Sequence, residues 1–134
     1  MTIEEKIQYW VGISDYDMDT AVAMLQSRRY LYVSFMCHQV VEKILKACYT
    51  KLKEDTPPFI HNLIHLAERC DLFEMLSDEQ KKFVVALTPL NIEARYPEYK
   101  KSIAQTLSHA KCEAMIEQTK ALQQWIKETI LLPK

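Results

Sequence analysis

The chain contains one glycine, Gly12, among its 134 residues. Tight β-hairpins place glycine at turn positions that need a positive φ, so a sheet protein of this length normally needs more. The apolar residues instead recur at three- and four-residue spacing, between turns marked by proline or aspartate. The sequence therefore predicts one all-α domain over residues 1–134, an up-and-down bundle of four to five helices.

The charge balance narrows the classes of partner. A net charge of -1 argues against a protein that binds nucleic acid regardless of sequence, because such proteins usually carry a basic excess. It still allows a local basic pocket. The first ten residues include acids and no apolar run, which indicates neither a signal peptide nor a membrane span. The four cysteines lack CxxC spacing and are expected to be small core residues of a cytoplasmic protein.

Five helices are predicted from the periodicity of the apolar residues. Capping boxes mark two of their starts, Thr2 with Glu5 and Ser77 with Gln80. Gly12 lies inside the first helix at a cost of about 1 kcal/mol relative to alanine, which suggests that a neighbouring segment approaches there. The stretch from Ile92 to Tyr99 is expected to be irregular. The predicted helices are Ile3–Gln26, Arg28 or Tyr30 to Leu52, Ile60–Cys70, Asp78–Asn91, and Ile103 or Ser108 to Leu131.

The second predicted helix is apolar on almost every side, which is typical of a central helix. Three of its polar residues, His38, Glu42 and Lys46, follow one another at four-residue spacing and therefore share one face. Two interpretations are open. The face is either a solvated ion pair with a half-buried histidine, or a polar groove. In the groove, Glu42 orients a base or a cationic partner and Lys46 faces phosphate.

Two further patterns suggest polar sites. Arg95 and Tyr96, held by the backbone of Pro97, suit phosphate contact and base stacking, although spacing alone slightly favours a helix-capping arginine with a core tyrosine. His61 and His65 have the four-residue spacing of two metal ligands on a helix. A third ligand is not evident near them, so a structural or capping pair is expected. Neither a metal site nor a cofactor is predicted.

Taken together, these segments resemble the HEPN domain family over nearly the whole chain. Residues 35–46 resemble the family's most distinctive helix, its second. Tyr9-Trp10 with Ser14-Asp15 resembles the first helix, and Trp125 stands where the last helix often carries tryptophan. His61-Asn62-Leu63 looks like the family's Thr/His-Asp-Leu segment, and Ala94-Arg95-Tyr96-Pro97 is similar to its Ala-Arg-Tyr-Pro signature.

The resemblance implies a homodimer with a polar cleft at or near the interface. Many members pair with a minimal nucleotidyltransferase in toxin–antitoxin systems. The ribonuclease members carry an arginine followed, after four to six intervening residues, by a histidine. In this chain Lys100, Lys101 and Ser102 stand at those places after Arg95, and the next histidine is His109. RNA cleavage is therefore not expected.

The residues and the resemblance together predict a nucleotide- or RNA-binding site formed by His38, Glu42, Lys46, Arg95 and Tyr96. Arg95 and Lys46 are expected to hold phosphate, Tyr96 to stack on a base, and Glu42 to order the arginine. Two alternatives stay open, a metal-independent endoribonuclease toxin and a non-catalytic dimeric assembly module. A membrane partner is not expected.

Overall fold

Six α-helices account for most of the residues that the structure describes, 1–91 and 97–132, in a computed structural model of the chain. They are α1 (Ile3–Gln26), α2 (Tyr30–Lys53), α3 (Leu63–Arg69), α4 (Asp78–Leu87), α5 (Pro97–Thr106) and α6 (His109–Ile126). Short 3₁₀ turns follow α3 and α4 at Phe73–Met75 and Thr88–Leu90, and a π-helical turn, Lys127–Leu131, follows α6. The prediction of an all-α helical domain is confirmed.

The two predicted capping boxes both form. The Thr2 hydroxyl accepts a hydrogen bond from the Glu5 amide at 3.1 Å, and the Glu5 carboxylate accepts one from the Thr2 amide at 2.8 Å. Ser77 and Gln80 make the same reciprocal pair at 3.1 and 2.8 Å. Each box supplies partners to amide groups that a helix start leaves unpaired. Local sequence therefore determines where α1 and α4 begin.

Two predicted bounds are wrong. α3 begins at Leu63 rather than near Ile60, because the Asn62 side chain accepts a hydrogen bond from the His65 amide at 3.0 Å and caps the helix there. The fourth helix is also shorter than predicted. Its α-helical part ends at Leu87, and a 3₁₀ turn replaces the rest.

The C-terminal part contains two helices where one, from Ile103 or Ser108 to Leu131, was predicted, and the Ser108 start agrees with α6. α5 ends at Thr106, and Ser108 caps α6 by accepting a hydrogen bond from the Lys111 amide at 3.2 Å. α5 also begins at Pro97, inside the stretch predicted to be irregular. Proline is favourable at the first helical position because its fixed φ suits a helix and its missing N–H is not needed there.

α2 is the central helix of the fold. It packs along α1 and also contacts α3 and α6, and more than half of its residues are buried. The four cysteines are all unpaired and buried, as predicted. Because α2 is covered by other helices of its own chain, any polar residue inside it needs a specific partner. None of the helices in the described ranges is both long and apolar enough to cross a membrane.

Gly12 does not mark a close contact with another described segment. A β-carbon added at this position meets no atom within 4 Å, so the predicted approach of a neighbour is wrong for the described part of the chain. Tyr9 and Tyr16 lie on the same side of α1, and they are 52% and 72% exposed. These three residues, here called the α1 tyrosine face, leave an open surface with two exposed rings.

Candidate functional site

The three predicted site residues of α2 lie in the interior. His38, Glu42 and Lys46 are 0%, 1% and 5% exposed, so the interpretation as a solvated ion pair is wrong. Desolvating a charged group costs several kcal/mol, which the protein recovers only if close partners replace the lost water. The partners of these side chains therefore define the site.

Glu42 accepts two hydrogen bonds on one carboxylate oxygen. Lys46 Nζ and His61 Nδ1 each lie 3.0 Å from Glu42 Oε2. Burial alone raises the pKa of Glu42, but the hydrogen bond and positive charge of Lys46, with smaller contributions from Lys43 and His61, bring the net pKa below its usual value. Glu42 is therefore an ionised carboxylate inside the helical core at neutral pH.

Aromatic rings enclose the ammonium group of Lys46. Its Nζ lies 5.4 Å from the Trp10 ring centroid and 5.9 Å from that of Phe59, both within cation–π range. Lys46 was predicted to face phosphate in a polar groove of the central helix. Its ammonium group instead contacts Glu42 and these rings, and its side chain is only 6% exposed.

The rings continue to the surface on both sides of Lys46. Tyr9 meets Trp10 edge-on with centroids 5.2 Å apart, and Phe59 meets His61 edge-on at 5.1 Å. Phe59 is 90% exposed. These four side chains, here called the aromatic row, combine an exposed apolar ring with a direct connection to the buried carboxylate. Such rings can stack on nucleic-acid bases.

His61 belongs to the site, although the sequence did not assign it there. It precedes α3, in the segment that joins α2 to α3, so it does not share a helix face with His65 as the spacing suggested. Its hydrogen bond reaches Glu42, nineteen residues earlier in the chain. In the ranges 1–91 and 97–132, no group of three or more His, Cys, Asp or Glu side chains is placed to hold a metal ion.

A chain of polar contacts determines which nitrogen of His38 carries the proton. Lys43 donates to the amide oxygen of Gln39, so the Gln39 amide nitrogen is the group that faces His38 Nδ1, at 3.3 Å. Nδ1 therefore accepts, and the proton resides on Nε2. Burial lowers the pKa of His38 to about 4, so the ring is neutral at pH 7.

Two buried polar atoms of this cluster have no hydrogen-bond partner, His38 Nε2 and Glu42 Oε1. The two side chains are adjacent, with 3.7 Å between His38 Nδ1 and Glu42 Oε1. An unmatched buried donor or acceptor costs about 1–3 kcal/mol. Native proteins keep such groups where a ligand or an ordered water completes the hydrogen bond, or where the strain has a function. The cluster therefore has unused hydrogen-bonding capacity beside an aromatic surface.

The remaining two predicted site residues, Arg95 and Tyr96, lie outside the residues that the structure describes. Arg95 was expected to pair with Glu42. In the described part of the chain, Lys46 and His61 fill that role on Oε2.

A separate groove of about 400 Å³ lies between α4 and α6, with Phe83 and Trp125 in its lining. Its described lining residues contain no buried polar atom without a partner. Its chemistry therefore indicates a ligand less clearly than the polar cluster of α2 does.

Comparison with known proteins gives a family and a structural relative. The model of the HEPN domain matches residues 7–129. The crystal structure of TT1696 from Thermus thermophilus superposes with a TM-score of 0.75 and is 18% identical, and the match covers 92% of this chain and 97% of that one. At this identity the likeness shows the fold alone. No curated protein sequence matches the chain.

Proposed function

The chain belongs to the HEPN domain family, and from that premise we propose that it binds nucleotides or RNA in the cytoplasm. The binding site consists of His38, Glu42, Lys46 and His61 together with the aromatic row. The proposal rests chiefly on one observation, the carboxylate of Glu42, which is buried in the central helix with one oxygen unpartnered. His61 and Phe59 connect this carboxylate to the surface.

The energetics of the Glu42–Lys46 pair favour a binding role over a purely structural one. Apolar residues of similar volume at such positions often give equal or greater stability, because they avoid the desolvation cost. The same cluster leaves two polar atoms unmatched, at a further cost. A site that uses these groups to bind a ligand accounts for their presence in the core.

We propose binding without catalysis. The positions where ribonuclease members carry their histidine hold Lys100, Lys101 and Ser102. His109 is the first residue of α6, and its Nδ1 lies 3.0 Å from the Tyr30 hydroxyl. Tyr30 stands eight residues before His38, the nearest member of the cluster on α2, about 12 Å along the helix axis, so His109 does not contact the cluster. RNA is expected to remain intact in binding assays.

Replacing Phe59 by alanine is expected to weaken binding of a short single-stranded RNA by roughly 5- to 150-fold, because stacking of one base on an aromatic ring contributes about 1–3 kcal/mol. Phe59 is 90% exposed, so the substitution should lower the stability by no more than about 1 kcal/mol, the contribution of one exposed cation–π contact with Lys46. Fluorescence anisotropy with a labelled RNA of mixed sequence measures the affinity. Gel electrophoresis of the same samples shows whether the RNA is cleaved.

Tyr32→Ala is the matched control for this experiment. Tyr32 is also an exposed aromatic residue, at 41%, but along the α2 axis it stands about 9 Å before His38 and about 21 Å before Lys46, the residue that Phe59 contacts. The Tyr32→Ala variant should bind RNA with the affinity of the parent chain. Equal losses in the two variants, or no loss for Phe59→Ala, would show that the aromatic row is not the binding surface.

A homodimer is part of the proposal, and the α1 tyrosine face supports it. The sequence suggested a dimer because α2 has so much apolar surface, but helices of the same chain cover that surface. Tyr9 and Tyr16 instead leave exposed rings on α1, and Tyr9 also belongs to the aromatic row. Light scattering at micromolar concentration should give about twice the chain mass of 15.8 kDa.

Tyr16→Asp should return this dimer to a monomer, because it places a charge in the proposed interface. Val85→Asp, at a 50% exposed position of α4, is the control that should remain dimeric. A parent chain that stays monomeric throughout the micromolar range would contradict the proposal.

A minimal nucleotidyltransferase, as in a toxin–antitoxin pair, is the proposed partner protein, and the family likeness supports it.

A further inference from the structure

The hydrogen bond between His61 and Glu42 determines the role of each nitrogen of the His61 ring. Glu42 Oε2 is a carboxylate oxygen that already accepts from Lys46, so it can only accept from His61 Nδ1 as well. Nδ1 therefore carries a proton. In the neutral ring the other nitrogen, Nε2, then carries a lone pair and is a hydrogen-bond acceptor.

The surroundings of His61 leave this acceptor available. The side chain is 47% exposed, while its partner Glu42 is 2% exposed, so the ring extends from the buried carboxylate to the surface. Among the described residues, Nδ1 is the only nitrogen of the ring with a hydrogen-bond partner. The ring of Phe59 lies beside it, with 5.1 Å between the centroids.

We propose that His61 recognises ribose, by accepting a hydrogen bond from the 2′-hydroxyl of a nucleotide whose base stacks on Phe59. This inference rests on the proposed function and makes it more specific, because it assigns the site to RNA rather than DNA. The 2′-hydroxyl is the group that distinguishes the two at a given position, and it can donate to a ring nitrogen. The buried Glu42 carboxylate acts as a positioning residue that keeps the acceptor directed outward.

His61→Asn tests this role with little other change. The amide nitrogen of asparagine can take the place of Nδ1 and keep the hydrogen bond to Glu42, but the acceptor at the Nε2 position is lost. His65→Asn is the control, since His65 is another exposed histidine in the same region of the chain. The probes are one single-stranded sequence as RNA, as 2′-O-methyl RNA, and as DNA with uracil in place of thymine.

The parent chain and His65→Asn should bind RNA roughly 2- to 12-fold more tightly than either other probe, the ratio expected for one net hydrogen bond. The methyl ether keeps the 2′-oxygen but has no proton to donate, so that probe should bind like DNA. His61→Asn should bind all three probes with the affinity that the parent has for DNA. Its melting temperature should stay near that of the parent.

Three results would overturn the inference. They are equal binding of RNA and DNA by the parent, an RNA preference that survives in His61→Asn, and a loss of affinity in His61→Asn that is the same for all probes. Each of these leaves the proposed function standing if Phe59→Ala still weakens binding. A parent chain that binds none of the three probes would overturn the proposed function as well.

Discussion

Replacing Lys46 by methionine is expected to lower the free energy of unfolding by about 3–5 kcal/mol. Methionine keeps most of the length and volume of the side chain, so the loss of charge dominates. It removes the ammonium group that lies 3.0 Å from Glu42 Oε2 and leaves the buried carboxylate with His61 as its remaining partner. Urea unfolding followed by circular dichroism at pH 7 measures the change.

The double variant Glu42→Gln, Lys46→Met separates the cost of a lone charge from the value of the pair. With both charges gone, stability is expected to return to within about 1 kcal/mol of the parent. Because Glu42 and Lys46 belong to the proposed binding site, the double variant is expected to lose RNA binding. Lys81→Met breaks a 3.2 Å pair with Glu74, which is 86% exposed, and should cost less than about 1 kcal/mol. A single Lys46→Met variant as stable as the parent would contradict the description of Glu42 as a buried charge that depends on Lys46.

The sequence predicted those features that depend on residues close together in the chain. The capping box of Thr2 and Glu5 joins residues three apart, so it identifies the start of α1 without any tertiary information. The nearly continuous apolar surface of α2 likewise identified the central helix. The start of α6 had a local signal too, Ser108, but the apolar pattern also extends before it and left Ile103 as an alternative start.

The sequence could not predict those parts of the site that depend on tertiary contacts. Glu42 and Lys46 have the same four-residue spacing whether they are solvated or buried, so spacing alone left both interpretations open. The contact between Glu42 and His61 joins residues nineteen positions apart, across the end of α2 and an irregular segment. The prediction that His61 and His65 share one helix face is also wrong, because α3 begins two residues after His61.

Acidification from pH 7 to pH 4 is expected to destabilise the protein by about 3 kcal/mol through His38 alone. Burial, helped by the charge of Lys43, outweighs the opposing effects of Glu42 and the His61 backbone and lowers the pKa of this histidine from 6.5 to about 4. Between these values the unfolded chain takes up a proton that the folded chain does not, so stability falls as the pH falls. The full difference of about 2.5 pH units corresponds to between about 3 and 4 kcal/mol at about 1.4 kcal/mol per unit, and about 3 kcal/mol of it is reached at pH 4, where half of the folded histidine is protonated.

His38→Gln isolates this contribution, because glutamine does not titrate and its amide can occupy the position of the Nε2–H group. The free energy of unfolding of the variant should fall by about 3 kcal/mol less than that of the parent between pH 7 and pH 4. His65→Gln, at an exposed position, is the control, and its free energy of unfolding should change with pH as that of the parent does. Glu42 contributes to the pH dependence of stability at lower pH. Its pKa is lowered in the folded chain, so its stabilising effect is lost as the pH falls from the usual carboxylate pKa through this lowered one. If the free energy of unfolding changes equally with pH in the parent and in His38→Gln, His38 takes up a proton as readily in the folded chain as in the unfolded one. That result would contradict the expectation from its complete burial.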